Sequence, residues 1–145
     1  MLIRPAGIVV ENGQILTMRY QFGGHDRFNL PGGGVESGED IASALRREFQ
    51  EELKVGIGVG DLAWVAETAV QGREVVHFLF HVTILEGRPE IDPKASKALQ
   101  LVWHPLESLS RIPLYPGMGY VIERSFLNKN YKSSRYLGRI EQLWY

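Results

Sequence analysis

Three glutamates, Glu48, Glu51 and Glu52, crowd one short stretch of a 145-residue chain, just downstream of the consecutive glycines Gly32, Gly33 and Gly34. Like charges at helical spacings of three and four repel by a few tenths of a kcal/mol per pair, so the cluster calls for a cation among its members. Hard carboxylate oxygens converging from one element suit Mg²⁺ or Mn²⁺. The glycines could bring bare backbone up to the same ligand, offering amides and carbonyls to phosphate oxygens or to metal. Taken singly, each feature has a plainer account: a solvated acidic helix face, or an ordinary flexible turn.

The element that must position the glutamates is an amphipathic helix from about Asp40 to Leu53. Asp40 is its N-cap, a carboxylate able to accept from free amides of the first turn. At about 100° per residue, Ile41, Leu45, Phe49 and Leu53 form one drifting apolar stripe, with Ser43, Arg46, Arg47, Gln50 and Lys54 opposite. The same wheel sets Glu52 between Ile41 and Leu45, inside the apolar arc, and puts Glu48 and Glu51 on its border. Ionised carboxylates turned toward a core are costly unless paired or metal-bound. Arg46 and Arg47 project mostly to the other side, so a divalent ion is the expected counter-charge.

Elsewhere, Ile8 to Val10 and Gln14 to Tyr20 read as antiparallel strands around the turn "ENG", where Asn12 and Gly13 can adopt positive backbone angles. "QFGGHDRFNLPGGG" reads as a glycine-rich loop. Asp61 to Val70 and Glu74 to Leu85 form a second antiparallel pair around "QGR", and Ala98 to His104 is a further short strand. Pro105 to Leu109 could open a short helix, and Gly119 to Leu127 forms another. Strands, helix, strands, helix is the order of a layered α/β domain with a mixed sheet.

Length and composition, with 44% hydrophobic and 23% charged residues, fit one globular domain over residues 1–145. The net charge of −1 gives no reason to expect wholesale phosphate-backbone binding. With no cysteine, thiolate metal sites and disulfides are ruled out. "MLIRPAGIVV", interrupted by Arg4 and Pro5, is expected to be neither a signal peptide nor a membrane span, which makes the cytoplasm the default location.

The glycine and glutamate stretch resembles the Nudix box, G-x5-E-x7-R-E-U-x-E-E-x-G-U, where U is a bulky apolar residue. The match falls on Gly33, Glu39, Arg47, Glu48, Phe49, Glu51, Glu52 and Val55, so six of the seven fixed letters agree. At roughly 5–7% usage per residue type, such a match by chance is on the order of 10⁻⁵ to 10⁻⁴. The flanking "FNLP" and "LVWHPLESL" are also similar to phrases around the box in that family. The resemblance implies an α/β/α sandwich that uses Mg²⁺ or Mn²⁺ to hydrolyse a pyrophosphate bond in a nucleoside diphosphate derivative. It further implies that Glu48, Glu51 and Glu52 act as metal ligands or base, that the Gly33 carbonyl is a further ligand, and that Arg47 pairs with Glu39 to orient the helix. The expected partner is a small-molecule nucleoside diphosphate derivative, not nucleic acid and not a membrane; a homodimer is compatible. Alternatives are a nucleoside triphosphate or RNA 5′-end pyrophosphohydrolase, and a nucleotide-binding module without catalysis.

Two positions depart from the pattern. Lys54 replaces the glycine near the end of the helix, so Gly56 is expected to end it instead. Lys97 stands near where some family members place a glutamate, which leaves Glu48 as first choice for the proton acceptor, ahead of Glu67, Glu90 and Asp92. His77 and His81 share one side of a strand and read as satisfied or surface residues. Glu67 is either solvent-facing or pocket-lining, and Tyr20, Phe22 and Phe28 read as core before they read as base-stacking groups. Tyr120 to Tyr145 reads as a solvated helix and tail.

Overall fold

The glycine-rich loop "QFGGHDRFNLPGGG" conceals a strand. In the computed structural model, which describes residues 1–143, the chain opens with β1 (Leu2–Ile8), β2 (Val10–Glu11), β3 (Gln14–Phe22) and β4 (His25–Asn29). Gly23 and Gly24, with φ of 56° and 81°, are the whole turn between β3 and β4, and Phe22 pairs with His25 across it. The mostly polar "HDRFN" carries little strand signal of its own; the ladder to β3 supplies it.

Next come α1 (Ile41–Leu53), β5 (Gly56–Val70), β6 (Arg73–Glu86), β7 (Gln100–Pro105), a 3-10 helix (Leu106–Arg111), β8 (Leu114–Tyr115), α2 (Gly119–Leu127) and β9 (Tyr136–Arg139). The expected "ENG" hairpin is present, with Val10 opposite Ile15 and with Asn12 and Gly13 at φ of 53° and 74°. Its first arm is shorter than expected, because β1 starts at Leu2 and runs parallel to β6 instead. Pro105 ends β7 and precedes the 3-10 helix, which replaces the helix expected over Pro105 to Leu109. The expected solvated tail instead adds β9 parallel to β5, and α2 buries Ile122. Residues 144 and 145 of the expected domain lie outside the described residues.

Two mixed sheets result. One has the order β1-β6-β5-β9; the other runs β2-β3-β4-β8, with β7 also paired to β3. Neighbouring Ile15 and Leu16 of β3 enter different cores, as side chains alternating across a sheet must. Ile15 packs with Leu79, Leu106, Leu109 and Ile122, under the 3-10 helix and α2. Leu16 packs with Leu45, Phe49, Leu53 and Val82, under α1. Helices therefore cover opposite faces of the strand layer, the α/β/α arrangement.

Asp40 caps α1 as expected, its Oδ1 accepting from the Ser43 amide at 2.7 Å. The other end corrects the expectation at Gly56. Lys54 itself takes the left-handed conformation, φ 59° and ψ 33°, with its amide donating to the Gln50 carbonyl. A β-carbon in that region costs about 1 kcal/mol. Lys54→Gly should therefore raise stability by about 1 kcal/mol, or about 2–4 °C in Tm at this size. Thermal melts of the two proteins check this; the weak pairing of Lys54 Nζ with Glu90 Oε1 at 3.9 Å is too long and exposed to reverse the sign.

Candidate active site

The loop before α1 is stitched to β1 along its length. Gly7 donates to the Pro31 carbonyl at 2.8 Å, Gly33 to Pro5 at 3.2 Å and Val35 to Ile3 at 3.1 Å. Gly32 bridges Ala6, and a β-carbon there would stand 2.7 Å from the Ala6 Cα. At Gly33 the obstacle is a side chain: an added β-carbon would lie 2.5 Å from Glu48 Oε1. The absent side chain of Gly33 is thus the space that Glu48 occupies.

Arg47 ties this loop to the helix. Its Nε and Nη2 grip both oxygens of Glu39 at 2.7 and 3.0 Å, and Nη2 also reaches the Gly34 carbonyl at 3.0 Å. Nη1 donates to Glu48 Oε1 at 2.9 Å and Glu51 Oε2 at 3.3 Å. Those five bonds match the five N–H groups of a guanidinium. The pairing with Glu39 matches the expectation, whereas the expectation that Arg47 stays on the far face is overturned. The wheel locates its Cα, and the long side chain wraps round to the acids.

Glu52 is left over. Among the described residues it makes no ion pair, while Arg47 serves Glu39, Glu48, Glu51 and the outlying Glu36. Burial first, and then the charge of Glu48, push the Glu52 carboxyl up to about 7. Burial also raises Glu48, with Arg47 working against it. Glu39 is held below its ordinary value, chiefly by its hydrogen bond from Arg47. These environments set a sign for stability. Glu52 binds its proton more tightly folded than unfolded, so its contribution is complete below about 4.5 and is lost as pH rises through about 7. Melting in EDTA should therefore show Tm falling across that window, with the fall flattened in Glu52→Gln.

Hard oxygens with one half-buried acid lacking a counter-charge fit a divalent ion. Among the described residues no three acids or histidines already stand in a metal-holding arrangement. Arg47 draws Glu48 and Glu51 toward itself, and Glu51, 55% exposed, has room to turn.

The other candidates fall outside this cluster. Glu67 accepts from the Tyr136 hydroxyl. Glu90 and Asp92 use their amides to bind the last carbonyls of α1, those of Leu53 and Glu52. His77 is fully buried, its Nε2 2.8 Å from Thr68 Oγ1, and burial pushes it down to about 3, so it is neutral. His81 sits edge-on to Phe126, and Phe28 packs on the core. Tyr20 and Phe22 stack on each other. Lys97 is exposed.

The NUDIX domain family model matches residues 1–125. The chain belongs to the Nudix hydrolase family. Its fold is similar to that of the E. coli ORF135 protein, with a TM-score of 0.74 and 26% identity over 90% of this chain and 91% of that one. In sequence it is similar to the uncharacterized Nudix hydrolase YvcI of Bacillus subtilis, 24% identical over 95 residues. It is also similar to an RNA pyrophosphohydrolase of Halorhodospira halophila, 43% identical over 68 residues. Those matches take in 64% and 45% of this chain, which spans only 60% and 35% of the two relatives. Nudix hydrolases generally use divalent metal ions to hydrolyse pyrophosphate bonds in nucleotide derivatives. No helix among the described residues is long and apolar enough to cross a membrane.

One residue near the Nudix box escaped the sequence reading. Arg4, on β1, is 8% exposed and lies close enough to Glu52 and Glu48 to feel their charge. Its signal was present: a lone cation inside the apolar run "LIRPAGIVV" is expected to have a purpose or a partner.

Proposed function

We propose that this chain is a metal-dependent pyrophosphohydrolase of one domain, 1–145, working in the cytoplasm on a nucleoside diphosphate derivative and releasing a nucleoside monophosphate and a phosphorylated remainder. The observation that carries the proposal is the half-buried Glu52 without a cation, beside Glu48 and Glu51 on one helix and against the open backbone at Gly33. Glu51, Glu52 and the Gly33 carbonyl are proposed to hold Mg²⁺ or Mn²⁺, with Glu48 on the border of the metal cluster and not fully used as a ligand. When bound, the ion offsets phosphate charge and acidifies water. Arg47, braced by Glu39, fixes Glu48 through Oε1 and leaves Oε2 to accept the proton of the attacking water.

A second reading, an RNA 5′-end or nucleoside triphosphate pyrophosphohydrolase, is favoured by the 43% identical segment shared with the RNA pyrophosphohydrolase. A module that only binds nucleotides has no need of three clustered acids. A panel of nucleoside diphosphate derivatives, nucleoside triphosphates and 5′-triphosphorylated RNA, incubated with Mg²⁺ or Mn²⁺ and resolved by ion-exchange chromatography, tests the proposal. Monophosphate should accumulate from the diphosphate derivatives, and EDTA should stop it. Turnover confined to triphosphates would select the second reading, and no turnover on any member would overturn both.

A further inference from the structure

Beside the loop that precedes α1 the structure holds a cavity of about 270 Å³. Gly34 lines it, one residue from Gly33, so it adjoins the proposed site of hydrolysis. Its charged lining has a single sign: Arg4, Arg27 and Arg73, with no aspartate or glutamate among the lining residues. Tyr115 also lines it, with the guanidinium of Arg4 5.2 Å and that of Arg27 5.3 Å from the ring centre.

Arg4 is the informative member. Its Nη2 donates to the Leu30 carbonyl at 3.0 Å, while Nη1 is buried with no hydrogen-bond partner among the described residues. A buried charge with an idle donor is costly, and a guanidinium can be satisfied only by an acceptor because it has none of its own. Among the described residues no acid comes close enough to pair with it; Glu52 and Glu48 act on Arg4 only through space.

We propose that this cavity seats the distinguishing group of the substrate and that Arg4 is a specificity-determining residue that, with Arg27 and Arg73, selects a group rich in oxygen acceptors. The inference rests on the pyrophosphohydrolase reading for the identity of the ligand as a nucleotide. Two parts of a nucleotide offer that chemistry: the oxygens of a further phosphate, and the carbonyl-bearing edge of a base such as uracil. The amino donor of adenine faces Arg4 with the wrong polarity and leaves only ring nitrogens as acceptors, whereas uracil offers two carbonyl oxygens. Arg73, exposed on the same cavity, adds charge that a phosphate would use more than a neutral base.

Binding of inorganic pyrophosphate, uridine and adenosine, followed by chemical-shift titration in EDTA, separates these sources without calling on the metal or on turnover. The parent protein should bind pyrophosphate or uridine more tightly than adenosine, and Arg4→Met should weaken the preferred probe at least tenfold. Loss of pyrophosphate binding in Arg73→Ala as well identifies a phosphate subsite; loss of uridine binding in Arg4→Met with Arg73→Ala unaffected identifies a base subsite. Arg73→Ala changes an exposed side chain and Arg4→Lys keeps the charge, so the test survives if Arg4→Met fails to fold; Arg4→Lys should then show the weakening. Equal affinities in the parent and all folded variants overturn the inference. They do so even if the nucleotide panel is hydrolysed, whereas arginine-dependent binding without hydrolysis overturns the catalytic reading alone.

Discussion

Glu52→Gln is expected to lower kcat by about 10²- to 10⁴-fold while leaving the metal-free protein at least as stable as the parent at pH 8. Both halves follow from one fact: among the described residues Glu52 is an acid turned into a half-buried position with Glu48 beside it and no ion pair, Arg4 acting on it only through space. Without metal, the charge is a burden that glutamine removes at nearly constant shape. With metal, on the proposed ligation, the same charge should help to hold the ion. Gln50→Ala, on the exposed side of α1, serves as the control and should be nearly silent in both measurements. Glu48→Gln should differ in kind. Arg47 already holds Oε1, and if Glu48 is the proton acceptor as proposed, its loss should depress kcat even at saturating Mg²⁺ and remove the acidic limb of the pH profile. Parental rates in both glutamine variants would dismantle the helix assignment.

Gly32→Ala and Gly33→Ala should fail in opposite ways, although they are neighbours. At Gly32 the added methyl meets backbone, the Ala6 Cα among it, on a loop hydrogen-bonded to β1 on both sides. Backbone cannot swing away, so the variant should lose about 3 kcal/mol of stability. At Gly33 the atoms nearest the methyl are those of the Glu48 carboxyl, the end of a flexible side chain that can rotate aside. Stability should hold, but Glu48 leaves its place between Arg47 and the loop, and a misplacement of about 1 Å can cost about 10²-fold in rate. Denaturant melts and steady-state kinetics on the pair would show the two losses separately. A folded, fully active Gly33→Ala would mean that Glu48 does not work where the structure holds it.

These contrasts mark where sequence patterns suffice. The Asp40 cap, the apolar stripe through Leu45, Phe49 and Leu53, and the β5–β6 pair were readable because each depends on short-range spacing. β4 was not, since "HDRFN" has no alternation and becomes a strand through partners on β3 and β8. Lys54 in a left-handed conformation was missed because the glycine rule is a preference, and because the amides of Glu90 and Asp92 bind the last carbonyls of α1 from a distant part of the chain. Within the site, helical spacing grouped the three acids, and the resemblance to the Nudix box added Glu39 and Arg47. What it could not give was reach: a helical wheel places Cα atoms, whereas the five bonds of Arg47 are made by a side chain long enough to round the helix. Arg4 joins the same neighbourhood from a strand about forty residues earlier, a contact that only tertiary folding creates.

The central claim is that Glu52 and its neighbours hold a divalent ion, and the most direct test leaves catalysis aside. Titrate Mn²⁺ into the parent protein and into Glu52→Gln, and follow free Mn²⁺ by its electron paramagnetic resonance signal. The parent should deplete the free-ion signal, and Glu52→Gln should need at least about tenfold more Mn²⁺ for the same depletion. Superimposable titrations of the two proteins would contradict the account.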